Sequence, residues 1–69
     1  MNRHEWDSAS RETQLHYIYQ KYDADPNLDQ HAEILATVVS TSKRIEDILV
    51  DFGILKVGAN KRGEYYYLA

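Results

Sequence analysis

The chain has no cysteine and one proline, Pro26, and its three glycines, Gly53, Gly58 and Gly63, all fall after residue 52. Without cysteine there can be no disulfide and no thiolate metal site, so apolar packing must hold the fold together. Cysteine-free composition also suits a reducing compartment. No apolar run approaches the ~20 residues that a membrane-spanning helix requires. The stretch from Met1 to Asp7 is polar and carries Glu5 and Asp7, unlike a secretory leader. The expected location is therefore cytoplasmic. His4, His16 and His31 are dispersed and form no His-x-x-x-His pair. Gly58 to Gly63 does not lead into a helix as a phosphate-binding loop would. Asp23, Asp25, Asn27 and Asp29 match only the first half of a calcium loop, which would also need a central glycine and a closing glutamate. The expectation is a protein that is not an enzyme, with no metal and no cofactor.

What remains is an ordinary globular balance of 43% hydrophobic and 28% charged residues in a chain of 69, enough for one domain spanning 1–69. A chain of this length buries only about 60% of the surface its unfolded form exposes, so its core is small. The net charge of −3 is unevenly spread: residues 1–37 hold seven acids and three bases, whereas residues 38–69 hold four acids and five bases. An acidic body with a mildly basic C-terminal part follows.

Hydrophobic spacing predicts three helices. Leu15, Ile18, Tyr19 and Tyr22 recur at one face of a 3.6-residue period, giving a first helix from about Ser8 or Ser10 to Tyr22, preceded by a flexible segment 1–7. Asp23 to Asn27, with Pro26, ends it. A second helix starts near Asn27 or Asp29 and presents Leu28, Ala32, Leu35, Ala36 and Val39 to the core. A third covers about Ser42 to Phe52, capped by one of Ser40, Thr41 and Ser42, with Ile45, Ile48, Leu49 and Phe52 inward and Gly53 as its left-handed terminus. The period then changes. Ile54–Val57 and Glu64–Leu68 are rich in β-branched and aromatic residues and flank a polar turn, Gly58 to Gly63, which predicts a β-hairpin. The fold class is α+β, mostly α: three helices and a C-terminal hairpin. Alternation places Tyr65 and Tyr67 on one hairpin face and Tyr66 and Leu68 on the other, without deciding which pair meets the core.

Three segments then carry a family likeness. Ala32-Glu33-Ile34-Leu35-Ala36, followed by Ser40-Thr41-Ser42-Lys43-Arg44-Ile45-Glu46-Asp47-Ile48-Leu49 and by Phe52-Gly53-Ile54-Leu55, resembles the helix-turn-helix core of winged-helix transcription regulators, with Tyr65-Tyr66-Tyr67-Leu68 like the returning strand of the wing. The likeness spans roughly residues 28–69. It lacks the glycine often found in the turn, where Ala36-Thr37-Val38-Val39 stands.

The resemblance implies double-stranded DNA as partner and transcription regulation as role. The third helix would enter the major groove with Lys43 and Arg44 at base edges, Ser40, Thr41 and Ser42 would bind phosphate, and Lys56, Asn60, Lys61 and Arg62 on the wing would contact backbone or minor groove. Asp47, one turn after Lys43, either accepts from cytosine or pairs with Lys43. Trp6 and Tyr17 lie off the helical core stripe; they either cap the core or form a homodimer contact. The acidic balance keeps a second class open, a protein-interaction module or small acidic inhibitor of the same fold.

Overall fold

The computed structural model describes all 69 residues as four helices followed by a two-stranded antiparallel hairpin. Helix α1 spans Arg3–Ser8, α2 Arg11–Tyr22, α3 Leu28–Ser40 and α4 Ile45–Asp51; strand β1 spans Leu55–Asn60 and β2 Gly63–Leu68. The architecture is α+β and mostly helical, with one helix more than the periodicity predicts.

The extra helix is α1, in the segment expected to be flexible. Its start is a reciprocal cap. The Asn2 side-chain oxygen accepts from the Glu5 N–H at 2.8 Å, and the Asn2 amide donates to the Glu5 carboxylate at 3.2 Å. Six residues are too few for helical stability in isolation, so docking decides. The Trp6 ring meets Tyr17 of α2 edge-on, with centroids 5.9 Å apart, and the Trp6 carbonyl accepts from the Gln14 side chain at 2.7 Å. No residue of α1 is fully buried.

Helix α2 begins where the hydroxyl of Ser10 accepts from the Thr13 N–H. It ends at Asp23, whose φ of 56° is left-handed, a conformation that aspartate tolerates better than most residues. Helix α3 starts on Asn27, whose side chain accepts from Gln30. It runs to Ser40, through the β-branched Thr37-Val38-Val39, because Val38 is buried and the Thr37 hydroxyl donates to the Glu33 carbonyl.

The core is formed by Leu15, Ile18 and Tyr19 of α2, Ile34 and Val38 of α3, Ile45, Ile48 and Leu49 of α4, and Leu55 of β1. The stripes expected on α2 and α4 are found, with Tyr22 and Phe52 partly buried at their ends. The stripe expected on α3 is corrected. Leu28 is 87% exposed and Val39 is exposed too, while Ile34 and Val38 face inward.

The hairpin turn is shorter than expected. Leu55 pairs with Leu68, Gly58 with Tyr65 and Asn60 with Gly63, so only Lys61 and Arg62 lie between the strands. The Asn60 side chain accepts from the Arg62 N–H, and Gly63 takes a φ of 120° that suits glycine. A lone two-stranded sheet is marginal in water. This one is anchored at its base by buried Leu55 and by the Ala69 N–H donating to the Ile54 carbonyl.

Candidate nucleic-acid interface

The residues expected to contact DNA lie on the α3–α4 connection, the start of α4 and the hairpin. Helix α4 begins at Ile45, three residues later than expected, with Arg44 at its cap position and no side-chain cap bond. None of Ser40, Thr41 and Ser42 caps it. Ser40 closes α3, where its hydroxyl donates to the Thr37 carbonyl, and Thr41 is the C-cap of that helix. Ser40, through its hydroxyl, and Thr41, through its backbone N–H, therefore belong to the end of one helix, not the beginning of the next.

The connection is held by a residue that hydrophobic spacing does not single out. Arg11 donates from Nε to the Val38 carbonyl at 3.0 Å and from Nη2 to the carbonyls of Lys43 at 2.6 Å and Thr41 at 3.3 Å. One guanidinium fork thus satisfies a carbonyl in the last turn of α3 and two beyond its end, where no intrahelical donor follows.

Lys43 pairs with Asp51, at the far end of α4, and not with Asp47 as the one-turn spacing allowed. The Asp51 carboxylate holds the Lys43 ammonium above its ordinary value. Arg44 pairs with Glu46 at 3.2 Å, and its guanidinium lies 5.6 Å from the centroid of the Tyr66 ring. The charge of Glu46, then their hydrogen bond, raises Arg44 further above its ordinary range. In that pair the base faces outward: the Arg44 side chain is 65% exposed and that of Glu46 only 12%. Asp47 is likewise partly covered, because it accepts the Tyr66 hydroxyl at 2.6 Å. The two acids of the first turn of α4 are thus spent on Arg44 and Tyr66, which tie the helix to β2.

The Tyr66–Asp47 bond has a pH signature. Hydrogen bonding to Asp47, followed by removal from water and the Asp47 charge, pushes the Tyr66 phenol from 10.0 up to about 12. The folded value lies above the unfolded one, so this contribution to stability is fully present below pH 10.0 and is lost as pH rises through about 12. Titration followed by phenolate absorbance should show a late step near pH 12 that disappears in Tyr66→Phe. Loss of absorbance near pH 10.0 instead of near 12 in that variant would contradict the bond.

The hairpin settles the face left open by alternation. Tyr66 packs against the core from the same side as Leu55, while Tyr65 and Tyr67 lie on the opposite face. Lys56 pairs with Tyr67 and shares that outward face. Lys56, Lys61 and Arg62 have no carboxylate within ion-pair distance, whereas Arg3, Lys43 and Arg44 each have one. Asn60 commits its side-chain oxygen to the turn and leaves only its amide hydrogens for a ligand.

Trp6 and Tyr17, expected either to cap the core or to meet a second copy, are brought against one another within one chain and pack on the core. His16 and His31, 15 positions apart in the sequence, come together with ring centroids at 5.5 Å, and the Tyr19 hydroxyl lies 3.1 Å from Nδ1 of His31. No third side chain joins them in a metal-binding group. No helix is long and apolar enough to cross a membrane.

Comparison with known proteins returns no match: no family model fits the chain, and no curated sequence or solved structure is significantly similar to it.

Proposed function

We propose that the chain is a winged-helix protein that binds double-stranded DNA as a small transcription regulator, with α4 toward the major groove and the hairpin as the wing. The observation that carries this reading is the distribution of outward charge. The hairpin bases Lys56, Lys61 and Arg62 have no ion-pair partner, and Arg44 lies outside its partner Glu46, with Glu46 and Asp47 turned in; Lys43 differs, because its partner Asp51 is as exposed as the lysine itself. An overall acidic protein can thereby offer outward bases at the start of α4, Lys43 and Arg44, and on the hairpin, Lys56, Lys61 and Arg62. Phosphate neutralisation by such bases supplies most of the non-specific affinity for duplex. The order of helix, short connection, helix and hairpin is the arrangement in which a second helix reads base edges and a strand pair touches backbone.

The bases divide into two groups of different expected weight. Lys61 and Arg62 bind phosphate without surrendering a partner. Lys43 must exchange Asp51, and Arg44 must exchange Glu46, so their net contribution is smaller for each phosphate they reach. Duplex binding measured by fluorescence anisotropy across a salt series tests this. Lys61→Ala with Arg62→Ala should flatten the dependence of log affinity on log salt by ~2, about one for each phosphate left without its cation. Lys43→Ala with Arg44→Ala should weaken binding and flatten the slope less. No duplex binding near 50 mM salt, or a slope indifferent to both pairs, would overturn the proposal.

A further inference from the structure

The outward face of the hairpin has a chemistry that duplex binding does not use. Tyr65 and Tyr67 stand side by side with ring centroids 5.8 Å apart and planes 37° from parallel. They are 46% and 43% exposed although each is a large aromatic side chain. The distal end of the Tyr65 ring covers Gly58 so closely that a Cβ there would collide with its Cζ. The glycine therefore lets one side of the ring rest on the strand, leaving the other side to solvent. Lys56 is paired across the strands with Tyr67 on this face, and Lys61 and Arg62 stand at the tip, all three without a carboxylate partner. Two exposed rings bordered by three unneutralised cations suit a ligand that is both anionic and made of flat rings.

From this juxtaposition we infer that the Tyr65–Tyr67 face binds single-stranded nucleic acid, with unpaired bases stacked on the tyrosines and the backbone held by Lys56, Lys61 and Arg62. Paired bases in a duplex keep their faces inside the stack, so the tyrosines can engage only bases that are free of it. Base–aromatic stacking tolerates any base, because every base has a π-face. The expected preference is therefore for single strands over duplex through the tyrosines, with little dependence on sequence. The site shares Lys56, Lys61 and Arg62 with the duplex proposal but does not depend on α4.

The test uses the full chain and a labelled dT oligonucleotide of about 12 nucleotides, within the span of known single-strand sites. Tyr65→Ala with Tyr67→Ala should weaken binding of the oligonucleotide by at least about tenfold, as loss of two stacked bases implies. Tyr65→Phe with Tyr67→Phe keeps the rings and should bind within about twofold of the parent. Circular dichroism establishes whether the alanine pair is folded. If it is not, the ring resonances of Tyr65 and Tyr67 decide: stacking shifts them upfield on addition of oligonucleotide to the unmodified chain. Failure of the oligonucleotide to bind, equal binding by a folded alanine pair, or stationary ring resonances would overturn the inference. Self-association of the parent that the alanine pair abolishes, without oligonucleotide binding, would assign the face to a second copy instead and overturn it equally. Duplex binding measured on the same variants separates the two proposals. The tyrosine pair should leave duplex affinity unchanged, and Lys43→Ala with Arg44→Ala should leave single-strand affinity unchanged.

Discussion

Ile34→Ala is expected to destabilise the protein by about 2–5 kcal/mol, while Leu28→Ala, on the same helix, changes stability by less than about 0.5 kcal/mol. Ile34 is fully buried and belongs to the single core, whereas Leu28 is the first residue of α3 and lies almost wholly in solvent. Truncating Ile34 removes the transfer free energy of its lost methyl and methylene groups. It also leaves a void between α2, α3 and α4 that so few surrounding side chains cannot refill. Small domains have a total stability of only ~5 kcal/mol or little more, so the variant loses a large share of it. Urea denaturation of both variants provides the check. Equal effects would mean that α3 is rotated from the orientation described.

Arg11→Ala is the second large effect, expected to cost about 2–3 kcal/mol, as befits hydrogen bonds from a charged donor. The side chain reaches three carbonyls, one in the last turn of α3 and two within the α3–α4 connection. Its removal leaves the Val38 carbonyl, at the partly buried end of the fork, without that donor. Arg11→Lys should recover little, because an ammonium on a flexible stem lacks the planar fork that spans Nε and Nη2. Beyond global stability, the Thr41–Arg44 segment should exchange its amide hydrogens faster in Arg11→Ala. A loss below about 0.5 kcal/mol in urea titration, with unaltered exchange, would show that water replaces the fork without cost.

These two residues also show what can be read from the chain and what cannot. The stripes on α2 and α4 were legible because Leu15, Ile18 and Tyr19, and likewise Ile45, Ile48 and Leu49, are the dominant apolar sets at helical spacing in their segments. Helix α3 offers two overlapping stripes. Leu28, Ala32, Leu35, Ala36 and Val39 are more numerous, but the first and last sit toward the ends of the helix, and two are alanines with little surface to bury. Ile34 and Val38 are fewer and bulkier, and they win. The hairpin was legible from composition, and its turn was overestimated because Gly58 reads as a loop residue. Its actual reason is an aromatic ring seven positions later. The small helix α1 was missed because no apolar repeat marks it; Asn2 and Glu5 were the available signal, at capping-box spacing.

The candidate interface was legible as residue types and not as partnerships. Lys43, Arg44, Lys56, Lys61 and Arg62 can be named from the sequence, but their differing availability depends on Asp51, Glu46 and the strand register. Arg11 stands 27–32 positions from the carbonyls it serves. Local periodicity carries no trace of such a pairing.

Gly58 and Tyr65 are sterically linked. The end of the aromatic ring occupies the volume in which any side chain at position 58 would begin, so a substitution there must push the half-exposed ring aside. A descendant that replaced the tyrosine with a small residue would release the glycine to become almost anything, and strand propensity would then favour a larger residue there. The reverse order, substituting the glycine first, forces the ring off the strand. On steric grounds, changing the aromatic first and the glycine second displaces no ring.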